Sequence, residues 1–143
     1  MKRILLSLLL AAATAVQPLH AATDGEIEAR RVALDLAGAF SNDGFKLRDG
    51  VWIGTLERGK PRIVQVNLYS GNEYWFALGA TSKAKKLAVT VFDETGKPVE
   101  CEPYQEGATA AAGFSPDASG PYYVKIELAE GDTASFCLVY CYK

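Results

Sequence analysis

Two periodicities divide the chain. Over residues 25–40 the apolar positions recur at helical spacing, with Ala29, Val32, Ala33, Leu36, Ala37 and Phe40 on one face and Glu28, Arg31 and Asp35 on the other flank. Thr23-Asp24-Gly25-Glu26 has the form of a capping box, in which a hydroxyl and a carboxylate satisfy the free amides of a helix start. Ser41-Asn42-Asp43-Gly44 is turn chemistry and ends the pattern. From Phe45 onward the period shortens to two, in short runs separated by Gly, Pro, Asp and Asn, the spacing of an all-β sandwich or barrel.

The alternation assigns faces as well as strands. Over residues 63–69, Val64, Val66 and Leu68 point one way and Gln65, Asn67 and Tyr69 the other. Over 73–78, Tyr74, Phe76 and Leu78 form the inward set and Glu73, Trp75 and Ala77 the outward one. Over 122–128, Tyr122, Val124, Ile126 and Leu128 oppose Tyr123, Lys125 and Glu127; over 134–142, Phe136, Leu138, Tyr140 and Tyr142 oppose Cys137, Val139 and Cys141. Residues 51–56 are a further strand, and 87–92 and 99–102 are predicted to form a hairpin across Asp93-Glu94-Thr95-Gly96, with Gly where positive φ is needed. Glu130-Gly131-Asp132 closes a second hairpin, residues 113–121 are loop chemistry, and the small-residue stretch 108–112 carries no period. The fold class that follows is mainly β: an antiparallel, jelly-roll-like β-sandwich over about 45–142, preceded by one amphipathic α-helix.

The first 21 residues have a different pattern. Lys2 and Arg3 precede an uncharged apolar run over residues 4–13, then Gln17, Pro18 and a small-residue site at Ala21 or Ala22, the three regions of a secretory signal peptide. The apolar part is short for a bilayer about 30 Å thick, so removal after Ala21 is expected rather than anchoring. The expected product is an exported protein of the periplasm or the extracellular space, with residues 22–143 as one domain and no membrane span.

Composition narrows the chemistry. With 15 Lys plus Arg against 17 Asp plus Glu in 143 residues, the chain is not a basic nucleic-acid binder. Its only histidine, His20, lies in the expected leader, which would leave no Ser/His/Asp triad, no Cys/His dyad and no histidine metal ligand. A hydrolase would have to use carboxylates, for which Asp49, Glu73, Glu100 and Glu102 are the candidates, and none has a distinguishing motif. No enzyme activity is expected.

The phrases IVQVNLYSGNEYWF, KLAVTVFDETGKPV, FSPDASGPYYVKI and ASFCLVY run strand, turn, strand from about 61 to 142. In this arrangement the chain resembles the bacterial pre-peptidase C-terminal domain and related jelly-roll modules of secreted proteins. The resemblance implies a non-catalytic accessory role; related collagen-binding modules use calcium and exposed aromatic residues. The helix and the segment FKLRDGVWIGTLERG depart from the family pattern.

The cysteines are constrained by geometry. Cys137 and Cys141 lie four residues apart in a strand, about 13 Å, beyond the roughly 7 Å a disulfide can span. In an oxidising compartment Cys101 is therefore expected to bond one of them, leaving the other free or available to a second chain; the alternative is three buried thiols packing as small hydrophobes. Tyr69, Trp75 and Tyr123 all project outward by parity, and with Gln65, Asn67 and Glu73 as a hydrogen-bonding rim they form a candidate platform for a carbohydrate or a protein surface. The helix's own apolar stripe competes for the same face. Ile27 and Leu34, seven residues apart on the opposite side of the helix, are a candidate partner contact, the basis of an alternative reading as an assembly protein. No cofactor is expected, although the loop carboxylates Asp93, Glu94, Asp117 and Asp132 are weak calcium candidates through their hard oxygen ligands.

Overall fold

A computed structural model describes residues 21–143; His20 and the rest of the expected leader apart from Ala21 lie outside the described residues. Helix α1 (Asp24–Ser41) begins where the capping pattern places it, with the Thr23 hydroxyl accepting the Glu26 N–H at 3.2 Å. It ends at Asn42, and Gly44 turns the chain at φ 90°. Nine strands follow: β1 (Lys46–Leu47), β2 (Trp52–Leu56), β3 (Arg62–Leu68), β4 (Tyr74–Ala80), β5 (Ala84–Phe92), β6 (Glu102–Glu106), β7 (Thr109–Phe114), β8 (Gly120–Gly131) and β9 (Ala134–Tyr142).

The strands form two antiparallel sheets, one ordered β1-β9-β4-β7-β6 with β2 also paired to β9, the other ordered β3-β8-β5. Their facing sides make the main core. Tyr74, Phe76 and Leu78 from β4 and Phe136, Leu138 and Tyr140 from β9 meet Val66 and Leu68, Leu87 and Val91, and Val124, Ile126 and Leu128 from the three-stranded sheet. These are the sets that alternation selects. Aromatic rings gather at Tyr140, 5.4 Å from Phe76, 6.3 Å from Tyr74 and 6.0 Å from Trp52. The sandwich is therefore as expected, with the helix as a third layer.

The helix lies on the outer face of the larger sheet, along β9 and β4. Its contact surface is made of small side chains. Ala29, Ala33 and Ala37 are buried at four-residue intervals against Ala77, Cys137, Val139 and Cys141. Opposite them, Gly79 has no side chain to spare: a Cβ there would collide with the Ala33 backbone N and lie 2.9 Å from both Ala29 O and Ala33 Cα. Gly25 repeats the device at the helix start, where a Cβ would lie 2.6 Å from the Ser135 hydroxyl oxygen. Helix and sheet thus meet at backbone distance, where dispersion attraction is gained over the whole seam.

Two elements differ from expectation. Residues 99–102 do not form the return strand of a hairpin; Asp93 does build the turn, accepting from Thr95 N–H at 2.9 Å, Thr95 Oγ1 at 2.6 Å and Lys97 N–H at 3.0 Å. Past the turn the pairing with β5 amounts to one bridge, Phe92 to Pro98, and the Val99 N–H bond to Val91 O. The chain then crosses to the other sheet as β6. All but the first residue of the patternless stretch 108–112 falls within β7, a central strand whose alanines suit confinement on both faces, Ala110 and Ala112 toward the main core and Ala111 on the helix side.

Gly79→Ala is expected to destabilise the fold by about 1–3 kcal/mol through overpacking against rigid backbone. Gly38→Ala, on the exposed side of the helix with nothing within 4 Å of the added methyl, should instead stabilise it by up to about 1 kcal/mol. Urea unfolding of the two variants checks both signs, and a neutral Gly79→Ala would mean that the helix does not seat there.

Candidate functional site

The outward-facing candidates divide between two opposite surfaces. Trp75 lies on the helix side of β4, where Phe40 stacks on its indole with centroids 4.5 Å apart and planes 9° apart. Its other face lies over Gly113 of β7: a Cβ at that glycine would stand 2.8–3.0 Å from three consecutive ring atoms, an approach onto the ring face and not its edge. Both faces of the indole are taken. Trp75 is therefore a packing residue between helix and sheet, which corrects its reading as part of an open stacking platform.

Beside Trp75 is an open groove of about 710 Å³ lined by Glu73, Glu100, Glu102, Ser115 and Lys143 among others. It brings together three of the four carboxylates considered for hydrolysis; Asp49 lines a separate hollow with Arg48 and Tyr142. Of its lining residues, Glu102, Gly113 and Trp75 stand in a single cross-strand row, which continues under the helix to Cys141. Lys143 fills part of it, 3.4 Å from Glu73 and donating to the Asp43 carbonyl at 3.1 Å, with its ammonium 4.8 Å from the centre of the Phe45 ring.

Gln65, Asn67 and Tyr123 lie on the other surface, the outer face of the three-stranded sheet. Gln65 on β3 is the register partner of Tyr123 on β8, and Tyr123 is the partner of Phe92 on β5. The row Gln65–Tyr123–Phe92 therefore spans all three strands. One step along, Ile63, Lys125 and Thr90 make a parallel row, and beyond the other side Asn67 pairs with Pro121. Lys125 reaches over the Phe92 ring at 5.6 Å and pairs with Glu127 at 3.5 Å. Ile63 is 61% exposed, and Tyr69, at the end of the same strand, is 53% exposed. Ile63, Phe92 and Lys125 did not figure among the expected site residues. Parity applied to 87–92, which sets Ala88, Thr90 and Phe92 against Leu87, Val89 and Val91, is the signal that finds Phe92.

The three cysteines are free thiols, contrary to the disulfide expected from export. The reason is topological. Cys141 and residue 102, which follows Cys101, stand in one cross-strand row three strand spacings apart, about 14 Å, twice what a disulfide spans. Cys101 moreover packs against the core between the sheets, whereas Cys137 and Cys141 face the helix. Burial raises the pKa of all three thiols, and pushes Cys137 from 9.0 up to about 11, with Arg30 opposing the shift.

The four calcium candidates do not form one site. Burial raises the pKa of the Tyr122 hydroxyl, and Asp117, Asp93 and Glu94 all lie near enough to add to that rise. Asp93, however, spends its carboxylate on the turn described above, and Asp132 is held at the far end of β5, where its N–H donates to the Lys83 carbonyl. Among the described residues no three His, Cys, Asp or Glu side chains are grouped to hold a metal ion. Of the suggested partner contact, Ile27 is 58% exposed, but Leu34 is half-buried against the helix–sheet core. Among the described residues no helix is long and apolar enough to cross a membrane.

No protein-family model matches this chain, and no curated protein matches its sequence.

Thiol chemistry provides a test of this arrangement. Cys101, half-exposed, should react with a disulfide reagent in the native state, and Cys137 and Cys141 only as fast as the helix lifts from the sheet. A folded-state pKa above the unfolded one stabilises the fold fully below pH 9 and is lost as pH rises toward about 11, so unfolding free energy should fall across that window. Cys137→Ala should flatten that fall; equal reactivity of all three thiols would contradict the burial.

Proposed function

We propose that the protein is an exported, non-catalytic binding module that takes a carbohydrate on the outer face of its three-stranded sheet. The observation that carries this reading is the row Gln65–Tyr123–Phe92 on a sheet face that no helix among the described residues crosses. A sandwich has two outer faces, and here the helix occupies one of them. The remaining face carries half-buried aromatic side chains next to exposed amides, the combination that stacks on a sugar ring and hydrogen-bonds its hydroxyls.

Export is supported by the leader-like pattern of residues 1–21, and a non-catalytic role by the lack of histidine after that leader and by the resemblance to accessory jelly-roll domains of secreted proteins. The acidic groove beside Trp75 favours a second reading, a carboxylate-based glycoside hydrolase using two of Glu73, Glu100 and Glu102. Lys143 held in the groove by Glu73 and Asp43 counts against an open substrate cleft there.

Titration of the purified protein with a panel of cell-wall and host polysaccharides, followed by calorimetry or amide chemical shifts, tests the reading. Tyr123→Ala is expected to weaken binding roughly five- to tenfold, corresponding to about 1–1.5 kcal/mol of aromatic contact. Shifts confined to β3, β8 and β5 would support the site, and unchanged affinity in Tyr123→Ala would remove it. Hydrolysis of a glycan, abolished by Glu100→Gln or Glu102→Gln, would replace binding with catalysis.

A further inference from the structure

We propose that β2 is a self-pairing edge, through which two copies of this chain join their larger sheets antiparallel about a two-fold axis at Ile53. The direction of the backbone groups along β2 is fixed by β9. On β9 the Ser135 carbonyl is used by Thr81 on the β4 side and the Tyr140 carbonyl by Arg48 on the β1 side, so the even-numbered residues of β9 point toward β2. Their register partners Trp52, Gly54 and Leu56 are the residues of β2 that bond back to β9. Val51, Ile53 and Thr55 consequently turn their amides and carbonyls away from the sheet. Among the described residues, only the Thr55 carbonyl of these groups has a partner, a long 3.5 Å bond from the Arg62 guanidinium.

Unpaired strand edges are usually guarded by charge, proline or a bulge. The opposite edge of the same sheet, β6, carries Glu102, Pro103 and Glu106, all exposed, and β5 carries exposed Lys85 and Lys86 at a register irregularity. Residues 51–56 themselves contain no charge and no proline, and the one charge that reaches this edge is Arg62 of β3, at its Thr55 end. Of the seven exposed large apolar residues among the described residues, four lie beside this edge: Ile27, Leu47, Val51 and Ile53. Ile53 and Leu47 pair in register with Cys137 and Cys141, which places them on the helix side of the sheet, and Arg30, close enough to Cys137 to act on its thiol, puts the Ile27 flank of α1 above them.

A second copy fits this edge better than an unrelated strand because the edge complements itself. An antiparallel two-fold centred on Ile53 sets Ile53 opposite Ile53 and Val51 opposite Thr55, so each outward amide faces an outward carbonyl and no two like charges oppose each other within the strand. The chain turns away at Gly50, φ 131°, and at Gly59, φ 77°, which limits pairing to β2 itself. The same axis brings the two Ile53 side chains into contact and draws the neighbouring Val51, Leu47 and Ile27 of both copies toward one apolar seam.

Sedimentation equilibrium of the purified protein should give a concentration-dependent dimer, and Ile53→Lys, which places a charge at the axis without touching the core, should raise its dissociation constant roughly tenfold or more. Val51→Lys carries the same test should Ile53→Lys fail to fold, and Ile63→Lys, on the far sheet, should leave the dimer intact. In a Cys101→Ser background, Ile53→Cys should oxidise to a covalent dimer on non-reducing gels, because residues facing each other in a hydrogen-bonded antiparallel pair have Cα atoms about 5.5 Å apart. A protein monomeric at every concentration would overturn the proposal. So would a dimer indifferent to both lysine variants, or one that the Ile53→Cys pair cannot cross-link.

Discussion

The contact on which the rest of the molecule depends is the approach of α1 to β4 and β9 at backbone distance. Gly79 and the alanines at 29, 33 and 37 leave so little between helix and sheet that the two surfaces are held by main-chain atoms as much as by side chains. Alanine contributes little apolar area per residue, so such a seam gains its stability from closeness and from helix propensity. The large residues are displaced to its ends, where Phe40 and Trp75 stack at one and Thr81 and Ser135 receive the Gly25 end at the other. A helix seated in this way has a fixed position, and that position decides which of the sandwich's outer faces is covered.

Strand β9 has to serve both layers. It pairs with β4 on one side and with β1 and β2 on the other; Phe136, Leu138 and Tyr140 feed the core between the sheets, and Cys137, Val139 and Cys141 feed the seam under the helix. The seam residues must be small enough for the helix, and cysteine meets that need as a compact hydrophobe. Burial that raises the Cys137 pKa to about 11 lowers its thiolate fraction further below that of an exposed thiol, and the helix covers the sulfur, so both act against disulfide exchange. Packing and redox inertness at these two positions follow from the same burial.

Alternation along the chain was sufficient to assign the helix, its cap, most strands and their core faces, because a period of two or 3.6 is a local property. Residues 108–112 escaped it because alanines buried on both faces show no period, and 99–102 misled because a well-formed Asp93 turn does not oblige its second arm to stay in the same sheet. The larger losses concern relations between strands. Parity correctly turned Trp75 and Tyr123 outward, but outward on two sheets means opposite directions, so one imagined platform became a packed indole and a separate bare face. The cysteines failed in the same way: spacing along β9 ruled out Cys137 with Cys141, but only sheet order reveals that Cys101 stands three strands away.

The two sheets are unequal in what they need from their surroundings. The larger sheet is buried on both sides over β4 and β9, and its residues there are dictated by packing, which leaves little freedom for recognition. The three-stranded sheet is buried on one side only, so Gln65, Tyr123 and Phe92 can change without opening a cavity in either core. Tyr123 and Phe92 on that face support the sheet as a cross-strand pair, with Lys125 over the Phe92 ring, while their outer sides stay open to a ligand. Half-exposed side chains set in one row across three strands are where a binding reading draws its weight; the aromatic residues under the helix carry none, because the seam encloses them.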